Sequence, residues 1–285
     1  MHNMDAVFSP TGFLRVCGTV ALGTLIILVL LKLRRKPRKS YPNDIVVHHQ
    51  PGRAPFAPSM TPFAVKLETF LRMTKVPSMN VFDSRRNRSS KGKMTWIEYN
   101  GEEIADSEIC IEFIKNKFNV DLNKEFTPEE IASGFMIQKM VEEHLYWTMA
   151  LNRWVYERGL RIHSITPLPF YMRFLICRHI SKQAQAQGIG RHSEEEVQNF
   201  MIHDLENLSV YMGSKKFLLG DKPSQADCAV FGMLSQFYWQ GFGGKTEEAI
   251  KKFPNLCSYC DRMKAEFWPD WEECITHGGT RKATK

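Results

Sequence analysis

Hydrophobic positions follow three patterns along this chain, each with its own period. The first is an unbroken apolar run from Val16 to Leu31, sixteen residues without a charge. Phe13, Leu14 and Leu33 extend it to about 21 positions, with Arg15 and Lys32 where long cationic side chains snorkel. At 1.5 Å per residue such a run spans roughly 31 Å, the thickness of a bilayer's hydrocarbon core. It stops at Lys32, Arg34, Arg35, Lys36, Arg38 and Lys39. The pattern predicts one transmembrane helix over residues 13–33, preceded by a short lumenal or extracellular stretch (1–12) and followed by a basic linker (34–43). A cleaved secretory signal would carry its charge before the apolar core and a small-residue cleavage site after it, and this segment has neither. Positive charge stays on the cytosolic side, which predicts a single-pass membrane protein with a cytosolic body and anionic lipid held at 32–39.

The second pattern runs from Asp44 to Leu122 and switches between strand and helix. Asp44–His48 reads as a short strand, and Val81–Phe82 and Trp96–Tyr99 as a second and a third. Asn100-Gly101 is a hairpin turn into Glu102–Ile104. Phe63, Lys66 with Leu67, Phe70 and Leu71 recur at helical spacing over Pro62–Met73, and a further helix opens at Ser107. The third pattern is helical throughout. Thr127-Pro-Glu-Glu130 is a capping box that predicts a helix of about 30 residues towards Arg158. Ser193-Glu-Glu-Glu196 opens another to Met212, Ser224-Gln-Ala-Asp227 a third, and Pro254 a last one to about Glu266. The fold class predicted is α/β followed by all-α, with a sandwich over 44–122, a helical domain over 123–275 and a polar tail over 276–285.

Charge changes the picture only at the anchor. Of the formal +7, residues 1–40 hold +6, which leaves +1 for the body and excludes a nucleic-acid partner. Seven scattered cysteines carry no small-domain disulfide spacing. Cys257-x-x-Cys260 is a lone pair inside a predicted helix, so it reads as core and not as a zinc site; no metal is expected. Arg85, Arg86, Arg88, Lys91 and Lys93 form a basic loop that reads as solvated, with a phosphate or acidic ligand as the alternative. His48-His49 carries no message. Glu142, Glu143, His144, Tyr146 and Trp147 lie on a long helix that lines a cleft between the two halves.

Five stretches carry a resemblance: Thr61–Met73, Gly92–Asn100, Lys139–Trp147, Gly188–Glu196 and Phe267–Trp271. Together they resemble the glutathione-transferase fold, in which a thioredoxin-like domain precedes a helical one. Within it the chain is similar to the branch of failed-axon-connections proteins, cadmium-responsive nematode proteins and, more distantly, metaxins. The resemblance implies a glutathione site with three parts. Ser59 or Thr61, ahead of a helix start, matches the hydroxyl that turns glutathione's thiol into a thiolate, although Thr61 is equally typed as a plain N-cap. Met94 and Thr95 match the loop where the family places a cis-proline after the residue that holds glutathione's cysteine, and Thr95 departs from that proline. Asp106-Ser107 matches the acid-serine pair for the γ-glutamyl group, with capping by Ser107 as the alternative. Ser224 and Asp227 match a structural capping box.

From this the expected function is that of a non-catalytic or weakly catalytic adaptor or ligand-binding protein, with roles in axon development or in metal and stress response. The first alternative is a glutathione transferase or peroxidase-type detoxifying enzyme. The second is a metaxin-like component of mitochondrial outer-membrane import. No cofactor is required, glutathione is the ligand or co-substrate implied, and protein partners or a homodimer are the macromolecular contacts implied.

Overall fold

Four strands of four residues each make the sheet, and their local chemistry explains each one. In the computed structural model, which describes residues 40–84, 87–165, 168–279 and 283–285 together with Gly23, they are β1 (Val46–His49), β2 (Ser78–Val81), β3 (Trp96–Tyr99) and β4 (Glu102–Ala105). Their order is β2-β1-β3-β4, with β1 parallel to β2 and the other two pairs antiparallel. Every side chain of β1 and β3 is buried, as befits central strands covered on both faces. Asn100 (φ 49°) and Gly101 (φ 83°) both take the left-handed backbone that a two-residue hairpin demands, and they join β3 to β4. Helix α1 (Pro62–Thr74) crosses from β1 to β2, and α2 (Ser107–Phe118) follows β4. The second strand sits a few residues earlier than the apolar pair Val81–Phe82 suggested, because pairing with β1 fixes Val46 opposite Ser78.

Helices make up the rest. Thr127 and Glu130 close the expected capping box at the head of α3 (Pro128–Met140). The single 30-residue helix expected there is instead broken by two π-helical segments, Val141–Leu145 and Asn152–Tyr156, on either side of α4 (Tyr146–Leu151). Such wide turns rotate the side chains that follow them and are frequent at functional positions. The remaining helices are α5 (Leu160–Ile165), α6 (Phe170–Gln187), α7 (Glu194–Met212), α8 (Gln225–Tyr238), α9 (Lys245–Ile250) and α10 (Pro254–Phe267). Residues 42–285 form one compact unit. One apolar cluster fills the helical bundle around Val230, Phe231 and Leu234, and another lies under the sheet around Leu67, Phe70 and Ile111.

The membrane reading is corrected here. Among the described residues no helix is long and apolar enough to cross a membrane, so a single-pass membrane protein is not supported. The predicted transmembrane helix at 13–33, apart from Gly23, and its basic flank at 32–39 lie outside the described residues, as do Arg85 and Arg86.

Helices α1 and α8 pack so closely that only glycine fits at 232. A Cβ there would lie 2.6 Å from the Pro62 carbonyl oxygen and 3.0 Å from the Lys66 nitrogen. The capping box of α8 is entirely internal: Asp227 accepts from the Ser224 N–H (2.8 Å) and hydroxyl (2.7 Å), from the Leu218 N–H (2.8 Å) and from the Tyr259 hydroxyl (2.9 Å). Burial pushes this carboxyl up, and the four donors oppose that shift.

A second buried polar cluster ties α1 to the sheet and to the C-terminal segment. Glu68 receives Arg53 at 2.7 and 3.1 Å, Arg72 at 3.2 Å and the Gln50 amide at 3.0 Å. Arg72 also bonds Asp270 at 2.6 Å and lies 3.9 Å over the Trp268 ring. Burial alone would raise the Glu68 carboxyl, but the Arg53 guanidinium, helped by Arg72, overrides it and holds it at about 2. His48 is desolvated beside it and falls to about 4 from an ordinary 6.5.

Both shifts remove stability in acid, in sequence. The unfolded His48 takes a proton below 6.5 that the folded ring refuses until about 4, so stability falls as pH drops through that window. Glu68 adds stability that is complete above its ordinary 4.5 and is lost as pH falls towards 2. We expect urea midpoints to decline from pH 6.5 down to 2, the upper part of the decline to flatten in His48→Gln and the lower part in Glu68→Gln. An acid limb unchanged by either substitution would contradict these assignments.

Candidate functional site

Three chain ends converge at one end of the sheet. Register places His49, the last residue of β1, opposite Trp96, and Trp96 opposite Ala105, the last residue of β4. Thr95 and Asp106 are therefore neighbours across the ladder, and the loop that leaves β1 leads through Ser59 to the start of α1. The flat stack of His49 on Trp96, with ring centroids 3.7 Å apart, and the bond from His49 to Asp83 (2.9 Å) fix this corner.

The hydroxyl candidates differ sharply in what they already do. Ser59 is buried, its Oγ accepts the Thr61 N–H at 3.3 Å, and its carbonyl accepts the Gln236 amide at 3.0 Å. Thr61 stands at the N-cap of α1 with extended backbone (φ −108°, ψ 125°), but its side chain makes no capping bond. Thr61 thus holds the N-cap position with Pro62 first in the helix, as expected, but leaves the side-chain bond unmade, and the Ser59 hydroxyl accepts the Thr61 N–H. Tyr146, packed on Phe63 with ring centroids 5.4 Å apart, flanks the same helix start. Burial raises its phenol.

Met94 is exposed and Thr95 buried, and the peptide bonds of all described residues are trans. The cap of α2 is Asp106, not Ser107. The Asp106 side chain accepts the Glu108 N–H at 3.2 Å while its backbone is held at φ 89°, a conformation costly for a residue with a side chain. Ser107 is the first helical residue and is buried. Lys93 reaches Asp106 at 3.5 Å, and Lys91 bonds the Ala105 carbonyl at 3.4 Å, so part of the basic loop folds onto the acid-serine pair.

Beneath that pair lies a network that periodicity conceals. Lys66, read as a member of an apolar stripe, is 1 % exposed and bonds Glu108 at 2.5 Å and Glu142 at 2.6 Å. Gln138 bonds both carboxylates, and Gln225 reaches Glu108 at 3.2 Å. Desolvation works against the Lys66 charge, yet the paired carboxylates, Glu142 first, raise its pKa. Burial pushes the Glu108 carboxyl up, and Lys66, with Gln138 and Lys139, outweighs it and lowers it overall. A cation at a buried helical position, with its acids 42 and 76 residues away, was the signal available, and it needed the fold to be seen. His144 turns to the opposite side, where Asp204 takes it at 2.6 Å.

No thiol competes for the chemistry. Burial pushes up every described cysteine, including Cys257 and Cys260, which remain free in α10. Among the described residues no three His, Cys, Asp or Glu side chains gather to hold a metal.

The glutathione S-transferase N-terminal domain family matches residues 62–159, and the glutathione S-transferase C-terminal domain family matches 201–263. Failed axon connections of Drosophila melanogaster is 33% identical over 259 residues, 84% of this chain and 62% of that protein. The chain belongs to the failed-axon-connections and metaxin-like branch of the glutathione S-transferase superfamily. It spans less than two thirds of the Drosophila relative's length. The isoprene-epoxide glutathione S-transferase of Rhodococcus sp. (strain AD45) is 27% identical, covering 74% of this chain and 94% of that one. Metaxin-1 of Bos taurus is 24% identical over 75% of this chain and 72% of its own. Among solved structures, the beta-etherase LigF of Sphingobium sp. strain SYK-6 superposes with a TM-score of 0.55 at 16% identity, over 80% of this chain and 98% of that one. A Pseudomonas fluorescens pf-5 family member with two glutathione bound gives 0.51 at 15%, over 78% and 89%. The superpositions carry the fold.

Breaking the Lys66 network should test its weight. Lys66→Met leaves the Glu142 carboxylate buried without its main partner, which costs about 3–5 kcal/mol. Adding Glu142→Gln should recover a large part of that loss, because the carboxylate left without its cation is then Glu108, which is partly exposed, and not the buried Glu142. Urea denaturation of both variants is the measurement; additive losses would show that the ion pair is not the coupling.

Proposed function

We propose that this member of the glutathione S-transferase superfamily binds a glutathione-type ligand without turning it over, and serves as a ligand-gated adaptor. The observation that carries the reading is Ser59. Ser59 is 1 % exposed, so although its oxygen accepts the Thr61 N–H and its own proton remains to be donated, the packing around it keeps a ligand thiol away. Thr95, where the family places proline, supports the same reading, since the main-chain donors that would hold glutathione's cysteine are aimed differently. What persists is the γ-glutamyl end, where Asp106, Ser107 and Lys93 gather at a helix start.

A transferase or peroxidase-type activity is the second reading. Thr61 favours it, because its hydroxyl is not spent on capping, and so does the Rhodococcus relative, whose name gives it a glutathione transfer to isoprene epoxide. The likeness to failed axon connections supports a role in axon development, and the likeness to metaxin-1 supports a mitochondrial import role through protein partners.

The full chain should be retained on immobilised glutathione and released by free glutathione, with no turnover of a generic aryl halide above background. Ser107→Ala should weaken retention about tenfold, the worth of one charge-assisted hydrogen bond. Turnover that vanishes in Thr61→Ala would make the protein an enzyme, and failure to be retained at all would sink the ligand assignment. Thr95→Pro should tighten retention if loop geometry sets the affinity; an unchanged titration would place the obstruction elsewhere in the pocket.

A further inference from the structure

Helix α6 (Phe170–Gln187) lies between the two family-matched segments, which end at 159 and resume at 201, so the superfamily match gives it no role. Its surface is unlike the rest of the molecule. Phe170 is 75%, Tyr171 63%, Phe174 56% and Leu175 58% exposed. Isolated apolar side chains on a surface need no explanation, but four large ones over two turns form a patch. Helical spacing puts Arg178, His179 and Lys182, all exposed, on the same side as that patch, one turn further on.

Along the sequence around this helix the charge has one sign. Residues 158–193 include Arg158, Arg161, Arg173, Arg178, Lys182 and Arg191 and no Asp or Glu. Yet outside residues 1–40 the chain carries only +1. A concentration of cations beside exposed rings on an amphipathic helix is the composition of a segment that lies in a lipid headgroup layer. We propose that α6 docks on an anionic lipid surface, with Phe170, Tyr171, Phe174 and Leu175 entering the headgroup boundary and Arg178 and Lys182 against the phosphates.

This is a surface contact made by an 18-residue helix, and it does not cross the bilayer. A second copy fits poorly, because it would set a stretch of +6 against itself. An acidic protein fits less well than lipid, because the charge stands beside four projecting apolar side chains that an acidic surface would leave unburied. Two surface cavities lie elsewhere, lined by residues such as Arg53, Asn80 and Phe82 or Ser90, Ile109 and Phe113. A fluid headgroup layer accepts projecting rings without a preformed groove.

Amide hydrogen exchange of the full chain, read on peptides covering 168–182, tests the proposal locally. Vesicles of phosphatidylcholine with phosphatidylserine should slow exchange there, and vesicles of phosphatidylcholine alone should not. Arg178→Gln with Lys182→Gln should weaken the protection on the order of 30-fold, from roughly fivefold per surface cation. Phe174→Ser with Leu175→Ser should abolish it while the thermal midpoint stays put, since both side chains are exposed. Four outcomes would overturn it: equal protection by neutral vesicles; protection that needs no vesicles, whether it grows with protein concentration (a second copy) or not (another part of this chain); the same protection from polyglutamate, which indicates an acidic protein partner; or no protection under any condition.

Discussion

The close seat of α1 against α8 is the constraint on which the rest of the body depends. Three different interactions meet along it. Gly232 removes the side chain that would keep the two helices apart. Lys66, one turn beyond the start of α1, is then carried into a space where water cannot solvate it. Burying an ammonium group is expensive, and two carboxylates at 2.5 and 2.6 Å offset that cost only because Gln138 and Gln225 satisfy their remaining lone pairs. The pairing has a directional consequence. Glu108 is the second residue of α2, so fixing its carboxylate fixes the turn that bears Asp106 and Ser107. The candidate ligand site is thus positioned by a charge on α1 and by helices far away in sequence.

That dependence explains what could be read from the sequence and what could not. Local rules announce Thr127, Ser193 and Ser224 as helix starts because a hydroxyl and an acid three residues later satisfy each other whatever surrounds them. The Asn100-Gly101 hairpin was legible for the same reason. Asp106 and Ser107 do stand at a helix start, but which of the two caps it depends on the strained backbone of Asp106, which residue type alone does not reveal. Lys66 shows the limit most plainly. At helical spacing it counts as a member of the buried stripe, and it is buried, though for an electrostatic reason that Glu108 and Glu142, 42 and 76 residues away, supply. The π segments at 141–145 and 152–156 belong to the same class, since nothing in Val-Glu-Glu-His-Leu distinguishes a wide turn from an ordinary one.

Helix α6 was invisible to periodicity for the opposite reason. A helix packed on a core shows its apolar stripe on the hidden side. Here Phe170, Tyr171, Phe174 and Leu175 face outward and Ala184 is the buried residue of the helix, so the pattern that normally marks a helix is inverted. Inversion of this kind is not neutral for a protein in water, because exposed rings promote association unless something else opposes it. The surrounding cations supply that opposition by keeping copies apart.

The chemistry of the site and the placement of α6 point in one direction. Catalysis of thiol transfer requires a donor that can meet the developing thiolate, and on the proposed reading the burial of Ser59 keeps its hydroxyl from that role. Binding asks for less: a preorganised anchor for one end of the ligand and an element that responds to its arrival. On the proposed reading Asp106, at a left-handed φ and paired with Lys93, would be such an anchor, and it stands one residue from Ser107 and two from the carboxylate that Lys66 holds. A ligand whose carboxylate drew Lys93 away from Asp106 would change the charge balance at the head of α2, and through Glu108 that change would reach Lys66, Glu142 and the first π segment of the helical half. On the proposed reading, the ion-paired path from the head of α2 through Glu108 to Lys66 and Glu142 would let the scaffold report on a ligand bound beside Ser107.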